Sequence, residues 1–148
     1  MNKKTLEVIG WREWLALPDL QINKIKTKVD TGARSASLHA FDLEFYRKGG
    51  HEYIRFKVHP EQRNSKKTQE CKAKVLEYRR VKSSNGRSEQ RPVILTRVSL
   101  FGQTWPIEVT LTNRDEMGFR MLLGRECIKK RFLVDVSRSY CATKSEKK

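Results

Sequence analysis

The residues in this chain best suited to chemistry are Asp30-Thr31-Gly32-Ala33. The stretch Ile25-Lys26-Thr27-Lys28-Val29-Asp30 reads as a strand that ends on a carboxylate. Thr31-Gly32-Ala33 then turns the backbone sharply, so Asp30 is presented on a tight loop. Gly32 has no Cβ and lets another backbone approach closely, while the Thr31 hydroxyl can bond across a symmetric contact. Such a carboxylate does acid or base work only against a group that faces it. The competing account is an ordinary turn aspartate, since loops often carry Asp before Gly.

Other constellations are weaker. His51-Glu52-Tyr53-Ile54-Arg55 has Arg55 where a zinc-peptidase helix needs its second histidine, and its alternation is that of a strand. His39, His51, His59 and Cys71 have long, irregular spacings that make no zinc pattern. A nucleotide loop of the form Gly-x-x-x-x-Gly-Lys is absent. Cys71, Cys127 and Cys141 are odd in number and lack a Cys-x-x-Cys pair, so reduced thiols are expected. The residues therefore point to no metal and no cofactor.

Stepping outward from Asp30, period-2 patterning dominates. Phe41, Leu43 and Phe45 alternate with Asp42 and Glu44, and Ile54, Phe56 and Val58 alternate with Arg55 and Lys57, as half-buried strands do. A hairpin is expected from Val93–Leu100 through Phe101-Gly102-Gln103 into Trp105, Ile107, Val109 and Leu111. A second should rise through Val75 to Lys82, turn at Ser83-Ser84-Asn85-Gly86 and return through Arg91 to Leu95, because Asn-Gly tolerates positive φ. Residues 60–68 read as a polar loop. One short helix is expected between Gly124 and Lys130, after which Phe132, Val134 and Val136 resume alternation. Trp11, Trp14 and Trp105 read as core or dimer-contact residues.

The 148 residues have room for one domain, 1–142, with 143–148 as a charged flexible tail. Apolar residues are 37% of the chain and aromatics 9%, a thin core that suits a dimer sharing one. No apolar run approaches the roughly 18 residues a membrane helix needs, and no signal-peptide core follows Met1, so a soluble cytoplasmic protein without a membrane partner is expected. The net charge of +15 would attract polyanions. Residues 57–91 hold eleven Lys or Arg against four Glu, nearly half of that excess.

Far downstream lies Met121-Leu122-Leu123-Gly124-Arg125, an apolar run ending in Gly-Arg just before the expected helix. With Asp30-Thr31-Gly32-Ala33 upstream, the sequence resembles the retropepsin-like aspartic peptidases. Lys28-Val29-Asp30-Thr31-Gly32-Ala33-Arg34, Ser84-Asn85-Gly86-Arg87 and Arg91-Pro92-Val93 are similar to the bacterial branch often labelled ATP-dependent zinc protease. The resemblance runs from about Leu6 to Val136. It implies an all-β fold: a closed retropepsin-like barrel with a flap hairpin and one short C-terminal helix, two chains sharing one active site.

In that family two carboxylates lie so close that they share a proton and act as acid and base together. One Asp-Thr-Gly occurs here, and Asp135-Val136-Ser137 lacks the glycine, so the resemblance implies a homodimer pairing two copies of Asp30. Asp30, Thr31 and Gly32 would be catalytic. Ala33, Arg34, Ser84, Asn85, Gly86, Arg87 and Arg91 would bind substrate, and Leu122, Leu123, Gly124 and Arg125 would support the site. Ala33 stands where pepsin-like enzymes carry Ser or Thr, a hydroxyl that lowers a carboxylate pKa, which implies activity near neutral pH. Retroviral members carry Asp where this chain has Arg34, so Arg125 loses that partner, with Glu126 or Glu7 as replacements.

Arg34 in duplicate would grip carboxylates, and Arg79, Arg80, Lys82, Arg87 and Arg91 would add to the attraction if the basic hairpin overhangs the cleft. The bland account of that hairpin is an edge protected by charge. Members of the branch are associated with an ATP-grasp ligase that adds glutamates to a ribosomal protein, so a glutamate-tailed protein is the implied substrate and the ligase an implied partner. Two other readings stand beside the peptidase. One is a basic β-domain that binds RNA or the ribosome through phosphate contacts, although no RNP-like aromatic string is present. The other is a catalytically silent regulator of the glutamate ligase.

Overall fold

A computed structural model of the chain describes residues 6–60, 68–82, 86–113 and 119–146. Eleven strands and two short helices follow in order: β1 (Glu7–Gly10), β2 (Arg12–Leu17), β3 (Ile22–Asp30), β4 (Ala36–His39), β5 (Phe41–Lys48), β6 (His51–Val58), β7 (Gln69–Lys82), β8 (Ser88–Leu100), β9 (Gln103–Thr112), β10 (Met121–Gly124), α1 (Arg125–Ile128), β11 (Phe132–Asp135) and α2 (Cys141–Glu146). A 3-10 turn, Pro18–Leu20, joins β2 to β3.

The alternation read in the sequence is what packs. Ile54, Phe56 and Val58 on β6 are fully buried, as are Leu38, Ile94, Val109 and Leu123 from four other strands. Burying each such side chain is worth about 1.5–3 kcal/mol. The β8–β9 hairpin turns on Phe101 and Gly102 at φ of 52° and 72°, the paired left-handed values of a two-residue turn that follows strand twist. On the far side of the β7–β8 connection Gly86 has a φ of 84°, a left-handed value that glycine adopts without steric cost.

Nine strands form one sheet in the order β2-β3-β10-β4-β9-β8-β7-β6-β5, and β1 pairs in parallel with β11 apart from it. A single pair, Ala16 with Ser99, links β2 to β8 and turns the first six members into a ring. The sheet then continues outward through β7, β6 and β5. The mostly β reading is thus met, but the expected single closed barrel is a ring with an open three-stranded extension.

Two local expectations need correction. Among the described residues two short helices are present where one was expected, because α2 occupies Cys141–Glu146, residues that include part of the expected tail. The cause is long-range: the fully buried Glu13 carboxylate accepts N–H bonds from Gly10 (2.7 Å), Cys141 (2.8 Å) and Ala142 (3.2 Å). It neutralises the open N–H groups at the start of α2. Val136 lies beyond β11 and is 76% exposed, since the chain turns at Asp135. Of the tryptophans read as core or dimer-contact residues, Trp105 is in the core, and Trp11 and Trp14 are half-buried with the Arg12 and Lys24 cations over their rings at 4.6 and 4.4 Å. Residues 61–67 of the expected loop and Ser84 and Asn85 of the expected flap tip lie outside the described residues.

Candidate active site

β3 delivers Asp30 as its last residue, as its β-branched pattern requires. The loop that follows is closed by two bonds to Asp30: the Gly32 N–H donates to Oδ1 at 3.0 Å and the Ala33 N–H to the Asp30 carbonyl at 3.1 Å. Asp30 is half-buried, and Thr31 and Gly32 are exposed. The carboxylate therefore sits at a surface with one oxygen oriented by the backbone, available to a group from outside this chain.

The distant Gly-Arg segment braces this loop. β10 runs parallel to β3, with Leu122 beside Lys28, Leu123 beside Val29 and Gly124 beside Asp30. Leu123 is fully buried and Val29 nearly so, which anchors both strands in the core. A Cβ on Gly124 would lie 2.4 Å from the Ser35 carbonyl oxygen, so only glycine permits this approach. Immediately beyond it, the N–H groups of Arg125 and Glu126 donate to the carbonyls of Ala33 (2.9 Å) and Arg34 (3.0 Å). α1 is fixed in turn by Trp105, whose indole N–H donates to the Cys127 carbonyl at 2.9 Å.

Arg125 does not take either carboxylate proposed as its partner. Its Nη1 donates to the Gly32 carbonyl at 3.3 Å, holding the Asp30 loop itself. Glu126 instead pairs with Lys129 at 2.8 Å. That hydrogen bond holds the Glu126 carboxyl below its ordinary range, with Arg125 and Arg34 adding weaker attraction. Glu7 lies in β1 beside Phe132.

A cleft of about 270 Å³ opens between the loop after Asp30 and the turn-proximal part of the β7–β8 hairpin. Ala33, Arg34, Lys82 and Arg91 line it, joined by His39, Arg120 and Leu122. Arg34 also lines a second hollow against α1. Arg91 is nearly buried and its Nε donates to Glu89 at 2.6 Å. Gly86 and Arg87 are exposed and do not line the cleft. Arg79 is also elsewhere: it lines the second hollow, and its guanidinium bonds Glu108 (2.8 Å) and Glu77 (3.2 Å), which raises its pKa further.

Asp135 serves its own turn, accepting from the Ser137 N–H (2.9 Å) and hydroxyl (2.6 Å) and pairing with Arg138 at 3.2 Å. The residues considered for zinc do not fit it. The Cys71 thiol is buried toward the Leu20 carbonyl with its pKa pushed up to about 12, chiefly by burial and then by Glu70, and His59 Nδ1 lies by the Thr68 hydroxyl. Among the described residues no group of three or more His, Cys, Asp or Glu stands close enough to hold a metal. No described helix is long and apolar enough to cross a membrane.

Sequence reading singled out neither Arg120 nor Phe119 of the cleft. The available signal was a charge directly before the apolar run Met121-Leu122-Leu123, a position that ordinarily reads as exposed strand entry.

A carboxylate on an Asp-Thr-Gly loop at a strand end, braced by a parallel Gly-Arg strand in a mostly β fold, defines a retropepsin-like protein. A model of the RimB-like family, described as retropepsin-like aspartic endopeptidase RimB, matches residues 8–145, and the chain belongs to that family. It is similar to a protein of Shewanella pealeana named probable alpha-L-glutamate ligase, with 46% identity over 134 residues, 90% of this chain and 29% of that one. A protein of the same name from Desulfotalea psychrophila is 43% identical over 129 residues, covering 87% of this chain and 28% of its own length. The chain thus spans less than a third of these relatives. A crystal structure of a Legionella pneumophila protein of unknown function superposes with a TM-score of 0.75 at 29% identity, over 93% of this chain and 99% of that one.

Proposed function

We propose that the protein is an aspartic peptidase that works as a homodimer, with the Asp30-Thr31-Gly32 loops of two copies face to face. The observation that carries this reading is the half-buried Asp30 carboxylate, oriented by Gly32 and braced by Gly124 and Arg125, with its loop open to a partner. Asp135, the nearest sequence analogue, is engaged in its own turn.

In the dimer one carboxyl is protonated and the other ionised, because two negative charges at that distance repel. The ionised oxygen takes a proton from water as the water oxygen bonds to the scissile carbonyl carbon, and the protonated partner gives its proton to the carbonyl oxygen. Collapse of the resulting gem-diol breaks the C–N bond: the protonated carboxyl passes its proton to the departing amine while the ionised carboxyl takes one from a gem-diol hydroxyl, so the dyad again holds one shared proton. Ala33 offers no hydroxyl to the dyad, which supports activity near neutral pH, in keeping with a cytoplasmic setting.

The substrate is an acidic peptide, such as the glutamate tail of a modified ribosomal protein. Two observations support this: the cleft beside Asp30 carries Arg34, Lys82, Arg91 and Arg120, and the matching relatives are named as glutamate ligases. A glutamate ligase is the corresponding partner. Incubating a glutamate-tailed peptide with wild type and with Asp30→Asn tests the proposal; the tail is shortened only by wild type, and equal persistence in both refutes it.

The relatives' name favours one second reading, a silent accessory of a ligase. It requires that ligase activity respond equally to wild type and to Asp30→Asn, with no peptide cut by either.

A further inference from the structure

The solvent face of the β2–β3 pair carries a basic, aromatic patch. Glu13, Leu15, Ile25 and Thr27 point inward and are buried, so Arg12, Trp14 and Ala16 face outward, as do Lys24, Lys26 and Lys28. Across the two strands Arg12 pairs with Lys28 and Trp14 with Lys26. Outward strand positions are ordinarily polar, which Trp14 is not, and none of these outward residues is acidic. Asp30 ends the lysine row as the last residue of β3.

Rings from distant parts of the chain complete the patch. The Arg12 guanidinium lies over both Trp11 (4.6 Å) and Tyr140 (4.9 Å), and its Nε donates to the Ser139 hydroxyl at 3.1 Å. Tyr140 stacks on Trp14 with 6.1 Å between centroids and 23° between planes, and the Lys24 ammonium lies over Trp14 at 4.4 Å. On the other flank Lys26 lies over Phe119 at 5.4 Å, and Phe119 meets the edge of Trp11. Cations and rings thus alternate across one surface. The sequence hides this order, because the rings come from positions 11, 14, 119 and 140.

A hollow of about 450 Å³ opens beside Trp14 and Lys24. Asn23, Ser99 and Phe101 also line it, and its lining contains no Asp or Glu. A ring to stack on, an amide that both donates and accepts, and an exposed cation match the face, the edge and the phosphate of a nucleotide. A carboxylate would use the cation alone.

We infer that this face binds single-stranded RNA, seating an unpaired base in the hollow against Trp14 while Lys24, Lys26 and Arg12 hold the flanking phosphates. This function goes beyond the peptidase reading and does not depend on it. Binding is an exchange in which Lys24 leaves the Trp14 ring for a phosphate and a base takes its place. Of the two contacts with the ring, base stacking is the stronger. Successive lysines on one strand face stand about 6.7 Å apart, a spacing that an extended polynucleotide backbone matches. A duplex keeps its bases stacked on one another and offers none to Trp14, and unpaired bases are chiefly a feature of RNA.

The test is binding of fluorescent dodecauridylate to the full chain, read by anisotropy over a salt series. The comparison probes are an abasic oligomer with the same number of phosphates, an RNA duplex of the same length, oligodeoxythymidylate and uridine monophosphate. Dodecauridylate should bind wild type more tightly than the abasic oligomer by about fivefold or more, the worth of a stacked base. Trp14→Leu should abolish that difference, and Trp14→Phe should keep most of it. Lys24→Gln with Lys26→Gln should weaken both oligomers and lower the slope of log affinity against log salt by about 1.4, the share of two phosphate contacts. Lys48→Gln with Lys72→Gln, which removes the same charge from exposed positions of β5 and β7, should leave the base preference and the slope near wild type. If Trp14→Leu does not fold, the lysine variants and the wild-type comparison with the abasic oligomer decide the matter.

Equal binding of uridylate and the abasic oligomer, a wild-type slope in the Lys24 and Lys26 variant, or a duplex bound as well as the single strand overturns the inference. Binding of thymidylate but not uridylate, or of the monophosphate as tightly as the oligomer, overturns the assignment to RNA. A changed sedimenting mass in Trp14→Leu with the base preference intact would give the face to a second copy of the chain instead. None of these readouts uses hydrolysis, so the peptidase assignment stands or falls separately.

Discussion

Gly124 lies directly beside Asp30 in a parallel strand pair, close enough to the Asp30 loop that a methyl group on it would meet the Ser35 carbonyl oxygen at 2.4 Å. The loop that bears the carboxylate is thus built against a strand from the other end of the sequence. Gly124→Ala should cost about 3 kcal/mol or more, because the clash is with backbone that cannot rotate aside. Thermal melting of the variant checks this, and an unchanged midpoint would mean that the loop is not packed as described.

Arg125 holds the same loop through the Gly32 carbonyl, from an exposed position. Arg125→Met should therefore cost only about 1 kcal/mol of stability. Its effect on hydrolysis should be larger, a fall in kcat of about tenfold or more with KM little changed, since misplacing a reacting group is penalised in the transition state. Steady-state kinetics beside a denaturant titration separates the two. Equal small effects on both would reduce Arg125 to a surface residue.

Glu13 clamps Gly10, Cys141 and Ala142 through a carboxylate with no access to water. Glu13→Gln keeps the shape but turns an NH₂ group toward N–H donors, and should destabilise the fold by about 2–4 kcal/mol. Chemical denaturation measures it. Hydrogen exchange should quicken first at Cys141 and Ala142.

Asp19 carries a pH signature. Hydrogen bonds from the Arg97 side chain, the shortest at 2.6 Å from Nη2, together with the Arg97 backbone N–H at 3.0 Å, hold its carboxyl below the ordinary range. A depressed folded-state pKa means that the contribution is complete above the unfolded value of about 3.9 and is lost as pH falls through the lower folded value. Stability measured against pH should thus fall less steeply below about pH 4 in Asp19→Asn than in wild type. Parallel curves would show the pair to be thermodynamically silent, as exposed pairs often are.

What could be read from the sequence was local or carried by a motif. Phe101-Gly102 between two alternating runs specified the β8–β9 hairpin, and Val29-Asp30-Thr31-Gly32 specified a carboxylate at a strand end. The tie between Asp30 and Gly124 was legible through family resemblance, since no local pattern dictates which strands become parallel neighbours. What stayed hidden depended on distant partners. The charged residues after Cys141 read as a solvated tail because the carboxylate that starts α2 is Glu13, 128 positions away. Arg79 read as available for substrate because Glu108, 29 positions on, is brought beside it only by the sheet. Arg120 drew no notice in the sequence, because burial of a charge before an apolar run is decided by what packs over it.

The most direct test of two Asp30 residues serving one site is a subunit-mixing experiment. Wild type and Asp30→Asn are combined at fixed total concentration, allowed to exchange, and assayed for hydrolysis of a glutamate-tailed peptide. If each active site needs an Asp30 from both copies, activity follows the square of the wild-type fraction, falling to about one quarter in an equal mixture. A linear decline to about one half would mean that each chain acts alone, and would contradict the account.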